Sequence, residues 1–162
     1  MANYFQGTLQ KPYHISVGAA LVNSKGQIAC HHFIDHPKLN NEAFILMRET
    51  MEPNETIEDT LRRGLMEEFG AEGDLIAYVG SLVKQYKAGE ATVQKTTLYF
   101  LVKLNEISED RRDPDDPESG STIEWHRSEK LAQLMKSSAL KLGLPDMDES
   151  EIIERITKLN LI

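Results

Sequence analysis

The sequence predicts a mixed α/β (α+β) domain on three observations. Short apolar runs rich in β-branched residues recur through the first two thirds of the chain, separated by turn-forming residues. One strongly amphipathic segment stands among them, at residues 56–69. Two more helical segments close the chain. Strands interleaved with one central helix and covered by terminal helices make a sheet with helices packed on it. The 162 residues suffice for one domain with a sizeable core, and no repeat or linker divides them. We therefore expect a single domain over residues 1–162, with its core at about 13–142 and a C-terminal helix at about 148–159.

Each element has its own local reason. Residues 14–22, "HISVGAALV", form an apolar run, "NSKG" is a turn, and residues 27–33, "QIACHHF", complete a hairpin. Residues 37–41 read as loop and 43–47, "AFILM", as another strand. "MEPNE" is a turn that leads to a helix start, with Asn54 or Thr56 as cap. In the helix, Ile57, Leu61, Leu65 and Phe69 recur every fourth residue as one apolar stripe. Gly70 ends it, as a glycine past a helix terminus often does. Strands follow at about 75–86 and 92–104, joined by the turn "KAGE". The acidic, proline-bearing residues 105–121 read as a long exposed loop, a kind that is usually functional or mobile. "TIEWH" is a short strand, and helices fit 128–142 and 148–159.

Charge and cysteine usage narrow the function classes. Eighteen basic against 26 acidic residues give a net charge of -8, which argues against charge-driven binding to nucleic acid or anionic membranes. An anionic substrate would then need a cation to bring it in, and a divalent metal would serve. The single Cys30 allows no internal disulfide and points to a reducing compartment. No apolar run approaches the ~18–20 residues that span a bilayer, and the N-terminus lacks a signal pattern, so a cytoplasmic location is expected. His31, His32 and His36 lack the companions of a zinc set, and the first two point to opposite faces of a strand.

The stretch "ETIEDTLRRGLMEEFGA", residues 55–71, carries the chemistry. Position 64 neighbours both Glu67 and Glu68 on the helix surface. Glu68 falls within about 20° of Ile57, on the edge of the apolar stripe, at ~100° per residue. A carboxylate near apolar surface must be paired, protonated or metal-bound. Adjacent carboxylates repel, a divalent cation relieves the repulsion, and Mg²⁺ typically combines one or two carboxylates with substrate phosphates. A solvated acidic face at a helix end is the plainer account of the same pair.

The surrounding residues resemble the Nudix hydrolase signature: glycine, five residues, glutamate, seven residues, Arg-Glu, an aliphatic, any residue, Glu-Glu, any residue, glycine, an aliphatic. Glu55, Arg63, Leu65, Glu67, Glu68, Gly70 and Ala71 stand in its places, and "RETMEPNE" looks like the loop leading into it. The hairpin before, the strands after and "IEWHRSEKLAQL" sit where Nudix domains place them, so the resemblance covers most of residues 13–142. Two positions depart: Glu49 replaces the opening glycine, and Gly64 replaces the glutamate after Arg63, an acid that helps to bind metal in many members.

The resemblance implies a Nudix fold, with a mixed β-sheet between helices, and a hydrolase of phosphoric anhydrides. The expected activity is a Mg²⁺-dependent (or Mn²⁺-dependent) pyrophosphohydrolase acting on a nucleotide or nucleotide derivative. It further implies that Arg63 and Glu55 hold the junction of loop and helix while Glu67 and Glu68 ligate metal. Glu49 would add its backbone carbonyl or its carboxylate. Glu118 is the candidate for a further base or ligand, with Glu124, Asp115 and Asp116 as alternatives beside a simply solvated acid run. Tyr86 lies where dinucleoside polyphosphate hydrolases of the family carry a tyrosine, and no proline of the ADP-ribose branch is near. That favours a nucleoside triphosphate or dinucleoside polyphosphate, with Tyr86 and Arg48 as candidate substrate contacts. Arg111 and Arg112 read as solvated among acids. Nothing around Cys30 resembles the motif of isopentenyl-diphosphate isomerase, another member of the fold. Homodimers are frequent in the family, so a homodimer is a possible assembly. The second expectation, opened by Gly64, is a degenerate Nudix module that binds a nucleotide or a protein partner without hydrolysis.

Overall fold

The structure, a computed structural model, describes residues 2–162. Seven strands make one sheet: β1 (Tyr13–Val22), β2 (Ile28–Phe33), β3 (Ala43–Ile45), β4 (Met47–Thr50), β5 (Ala71–Ala88), β6 (Ala91–Ile107) and β7 (Thr122–His126). Their order is β3-β2-β1-β6-β5, with β4 also beside β1 and β7 beside β2. β1 runs parallel to β6 from Tyr13↔Gln94 to Val22↔Lys103. Its other edge is shared by β4, antiparallel from Ser16↔Thr50 to Ala19↔Met47, and by Ile28 of β2.

Helices cover both faces of this sheet. α1 (Ile57–Gly64) lies on one, and α2 (Ser128–Leu142) and α3 (Ser150–Lys158) on the other. Val17, Ala19 and Leu21 of β1 pack with Met47, Leu61, Leu65, Phe69 and Val102. Ala20 and Val22 pack with Leu101, Leu131, Met135, Ile152 and Ile156. With both of its faces buried, β1 needs apolar residues at nearly every position, which is why "VGAALV" does not alternate. Among the described residues no helix is long and apolar enough to cross a membrane.

Several elements differ from their sequence-based expectations. The expected hairpin is reduced to Val22↔Ile28, because β2 turns away to pair with β3 and β7. The single strand expected at 43–47 divides into β3 and β4, since the Leu46 N–H donates to Glu149 Oε2 at 2.8 Å instead of to a strand. The central helix is α-helical only to Gly64 and continues as a π-helical turn, Leu65–Phe69. Ile57, expected in the apolar stripe, is 37% exposed, and the buried face is Thr60, Leu61, Gly64, Leu65, Glu68 and Phe69. Thr56 is the N-cap, in a capping box with Asp59. β5 and β6 run further than expected, with register shifts in β5 at Glu72/Gly73, Leu75/Ala77 and Tyr78/Gly80.

Gly70 is required where it stands. Its φ is +62°, in the left-handed region, and an added Cβ would lie 2.1 Å from the Ser108 carbonyl oxygen. The close approach exists because Ser108 N–H donates to Gly70 O at 3.0 Å, tying the end of the π-helical turn to the loop after β6.

Candidate active site

Strand alternation splits β4 between two faces. Met47 and Glu49 point at α1, and both would crowd a side chain at position 64: a Cβ there would stand 2.7 Å from Glu49 Cβ and 2.8 Å from Met47 Sδ. Arg48 and Thr50 point to the face that α3 covers. There Arg48 Nε is 3.5 Å from Glu149 Oε1 and Thr50 Oγ1 is 3.1 Å from His14 Nε2.

Arg63 ties these elements together. Its Nε and Nη2 donate to the two carboxylate oxygens of Glu55 at 2.7 and 2.9 Å, and Nη2 also reaches the Thr50 carbonyl at 2.9 Å. Nη1 lies between Glu49 Oε2 at 3.1 Å and Glu67 Oε2 at 3.3 Å. The Arg63 hydrogen bonds pull the Glu55 carboxyl down to about 2. Burial pushes the Glu49 carboxyl upward against the opposing pull of Arg63.

The loop after β6 leaves residues such as Pro114, Asp115 and Pro117 exposed, as expected, yet it is strapped down. Arg111 donates to Gly70 O at 3.0 Å and to Glu72 at 2.9 Å; Arg112 donates to the carbonyls of Glu118 and Ser121, both at 2.9 Å, and to Ser121 Oγ at 3.0 Å. Both arginines, expected to be solvated, are instead the clamps of the loop. Asp113 N–H donates to Glu67 O at 2.8 Å, closing the loop onto the π-helical turn. Asp116 is thereby carried to Glu49 and Glu67, and one oxygen from each of the three lies within 4.8 Å of the others. Among the described residues this is the one acidic group with the spacing of a metal site.

Carboxylates alone, with no sulfur or imidazole, suit a hard cation such as Mg²⁺ or Mn²⁺. Glu118 sits behind Asp116, donating its N–H to Asp116 Oδ1 at 2.8 Å. Burial, together with the hydrogen bond and charge of Asp116, pushes its carboxyl up to about 7.

Glu68 stands outside that trio. Its Oε2 is 2.7 Å from His31 Nε2, and His31 Nδ1 is 2.7 Å from Ser121 Oγ. Burial holds His31 down at about 3 and, with the charges of Glu118 and Asp116, raises Glu68, driving both toward their uncharged forms. The other histidines go elsewhere. His32 meets Glu124 at 2.7 Å and Glu42 at 3.0 Å and stacks on Phe44, while His36 Nδ1 accepts from the Lys38 N–H.

On the α3 face, Glu149 accepts from Leu46 N–H and from the Tyr99 hydroxyl beside Arg48. Lys95 is half-buried nearby, brought down to about 8 by burial and then by the charge of Arg48. The Tyr86 hydroxyl is 3.1 Å from His14 Nδ1. Asp116 was only an alternative in the sequence, and Lys95, Glu149 and His31 were not singled out for the site. One signal was available for Lys95: it shares strand parity with Thr97 and Tyr99, a lysine on an inward face.

A mixed sheet between α1 and the α2–α3 pair, with acids gathered where the central helix ends, is a Nudix architecture. The NUDIX domain profile matches residues 12–146, and the chain belongs to that family, whose members are hydrolases. Two solved structures share the fold. The MutT protein from Methanosarcina mazei Go1 matches with a TM-score of 0.56 at 19% identity, over 94% of this chain and 99% of that one. A NUDIX hydrolase from Nitrosomonas europaea matches with a TM-score of 0.64 at 15% identity, over 91% and 94% respectively. No curated protein matches the sequence significantly. Family members generally use divalent metals, which agrees with the donor set of Glu49, Glu67 and Asp116.

Proposed function

We propose that the protein is a Mg²⁺- or Mn²⁺-dependent pyrophosphohydrolase that cleaves a diphosphate linkage in a nucleotide or nucleotide derivative. The observation that carries this reading is the convergence of Glu49, Glu67 and Asp116 from a strand, a π-helical turn and a strapped loop. When bound, the metal supplies charge neutralisation of the diphosphate and Lewis-acid activation of water. Glu49, Glu67 and Asp116 would hold it, and Arg63 fixes the first two through Nη1. Glu68 steadies the turn through the contact of Oε2 with His31, which leaves its second oxygen, Oε1, as a further ligand.

As the water oxygen bonds to phosphorus and the bridging P–O bond breaks, Glu118, whose carboxyl is raised to about 7 by burial and by Asp116, takes the water's proton. Arg48 and Lys95 are the cations that receive phosphate charge, which offsets the acidity of the whole chain. Tyr86, anchored by His14, faces the base or sugar. A nucleoside triphosphate or dinucleoside polyphosphate is favoured over ADP-ribose, and the single buried thiol fits a cytoplasmic setting.

The test is product release from a panel of nucleoside triphosphates, dinucleoside polyphosphates, ADP-ribose and nucleotide sugars, with Mg²⁺, with Mn²⁺ and with EDTA. Turnover abolished by EDTA and reduced by roughly 100-fold in Glu67→Gln is expected. Ligand-induced thermal stabilisation with no turnover on any substrate would replace the enzyme with a binding module.

A further inference from the structure

The two departures from the Nudix signature meet in space. Gly64 is helical, with φ −60° and ψ −41°, so its backbone has no need of glycine. A glycine there weakens the helix relative to alanine. What it leaves is room, which Glu49 shares with the flexible Met47 thioether: Glu49 Cβ and Cγ lie 2.7 and 3.3 Å, and Met47 Sδ 2.8 Å, from where a Cβ on residue 64 would stand. Glu49 in turn sits in regular β4, paired with Val17, and has none of the positive φ that would ask for the signature's glycine.

We propose that Glu49 and Gly64 are one reciprocal exchange, in which the metal-ligating carboxylate is supplied from strand β4 by Glu49, through the space that Gly64 leaves open. The proposal rests on the metal-dependent reading above. Three observations support it. The Glu49 carboxylate ends within 4.8 Å of oxygens of Glu67 and Asp116. Arg63 does not balance them: its Nε and Nη2 are taken by Glu55 and Thr50 O, so Nη1 alone serves both Glu49 and Glu67. Finally, β4 holds its residues by the ladder to β1, so a ligand on it is as firmly placed as one on the helix.

The experiment is Mn²⁺ titration of the metal-free protein, read by electron paramagnetic resonance of free Mn²⁺, with thermal melting in EDTA as the check on folding. Glu49→Gln keeps the shape and loses the charge. It is expected to bind Mn²⁺ at least about tenfold more weakly than wild type while melting normally. Gly64→Glu alone is expected to lower the melting temperature, because its Cβ meets the Glu49 Cβ as well as the more yielding Met47 sulfur. The double variant Glu49→Gly, Gly64→Glu is expected to regain wild-type Mn²⁺ affinity to within a few-fold. Unchanged affinity in Glu49→Gln overturns the exchange and leaves the metal-dependent reading standing. A folded double variant that stays as weak as Glu49→Gln overturns it too. If the double variant does not fold, Glu49→Gln decides alone. Wild-type protein that binds no Mn²⁺ overturns both the exchange and the reading beneath it.

Discussion

Glu55 shows how much one side chain organises at the entrance to α1. It accepts two hydrogen bonds from Arg63 and one from the Thr60 hydroxyl at 2.8 Å, and its folded-state pKa falls to about 2. A depressed carboxyl stabilises the fold above its unfolded pKa and loses that contribution as pH falls through the folded value. The window here is about pH 4.5 down to about 2. Glu55→Gln should therefore flatten the acid side of the stability profile in that window, read by urea unfolding at a series of pH values. An unchanged acid limb would show that the pairing contributes nothing. The Arg63–Glu55 contact was legible from the sequence because the signature fixes its spacing. The His31–Glu68 and Glu49–Asp116 contacts were not: they join residues far apart in the chain, and only the folded sheet and strapped loop bring them together.

At the level of elements, the joint between the π-helical turn and the loop after β6 decides the shape of the acidic end. Gly70 carries it, with positive φ and the Ser108 carbonyl pressed against its Cα. Gly70→Ala should destabilise the protein by more than about 1 kcal/mol, measured as a lowered denaturant midpoint at unchanged slope. A wild-type midpoint would mean that the joint relaxes freely. The sequence placed the helix stop at Gly70 and made β7 and α2 plain. It did not reveal the π-helical turn, because a periodicity of 3.6 residues is the only helix signal a pattern carries. Nor did it reveal the break at Leu46, which depends on a carboxylate more than a hundred positions away.

For the whole molecule, the family profile ends at residue 146, yet the core does not. α3 buries Ile152, Ile153 and Ile156 almost completely, and Glu149 before it holds Leu46, Arg48 and Tyr99. Three buried isoleucines are worth about 5 kcal/mol or more, a large share of a domain's marginal stability. A chain ending at Asp146 should lose its cooperative melting transition, followed by circular dichroism, and melting at the full-length temperature would show α3 to be dispensable. The mixed architecture was legible because β-rich runs and one strong amphipathic helix are local signals. That Glu149, just before α3, meets Arg48 was not, since it follows from packing across the sheet.

The last strand in the sheet order raises a hazard that the fold answers. β5 is 18 residues long, pairs among the described residues only with β6, and shows Leu75, Ile76, Tyr78 and Val83 to solvent. An edge of that length is a template on which a second chain can stack and aggregate. Its three register shifts fall in the stretch that holds Leu75, Ile76 and Tyr78, so the stickiest part is also the most irregular. Beyond them Arg155 occupies the Ser81 carbonyl at 3.1 Å, and Lys84 and Lys87 put charge along the remainder. Register shifts and flanking charge together make this long border of β5 a poor template for a second chain.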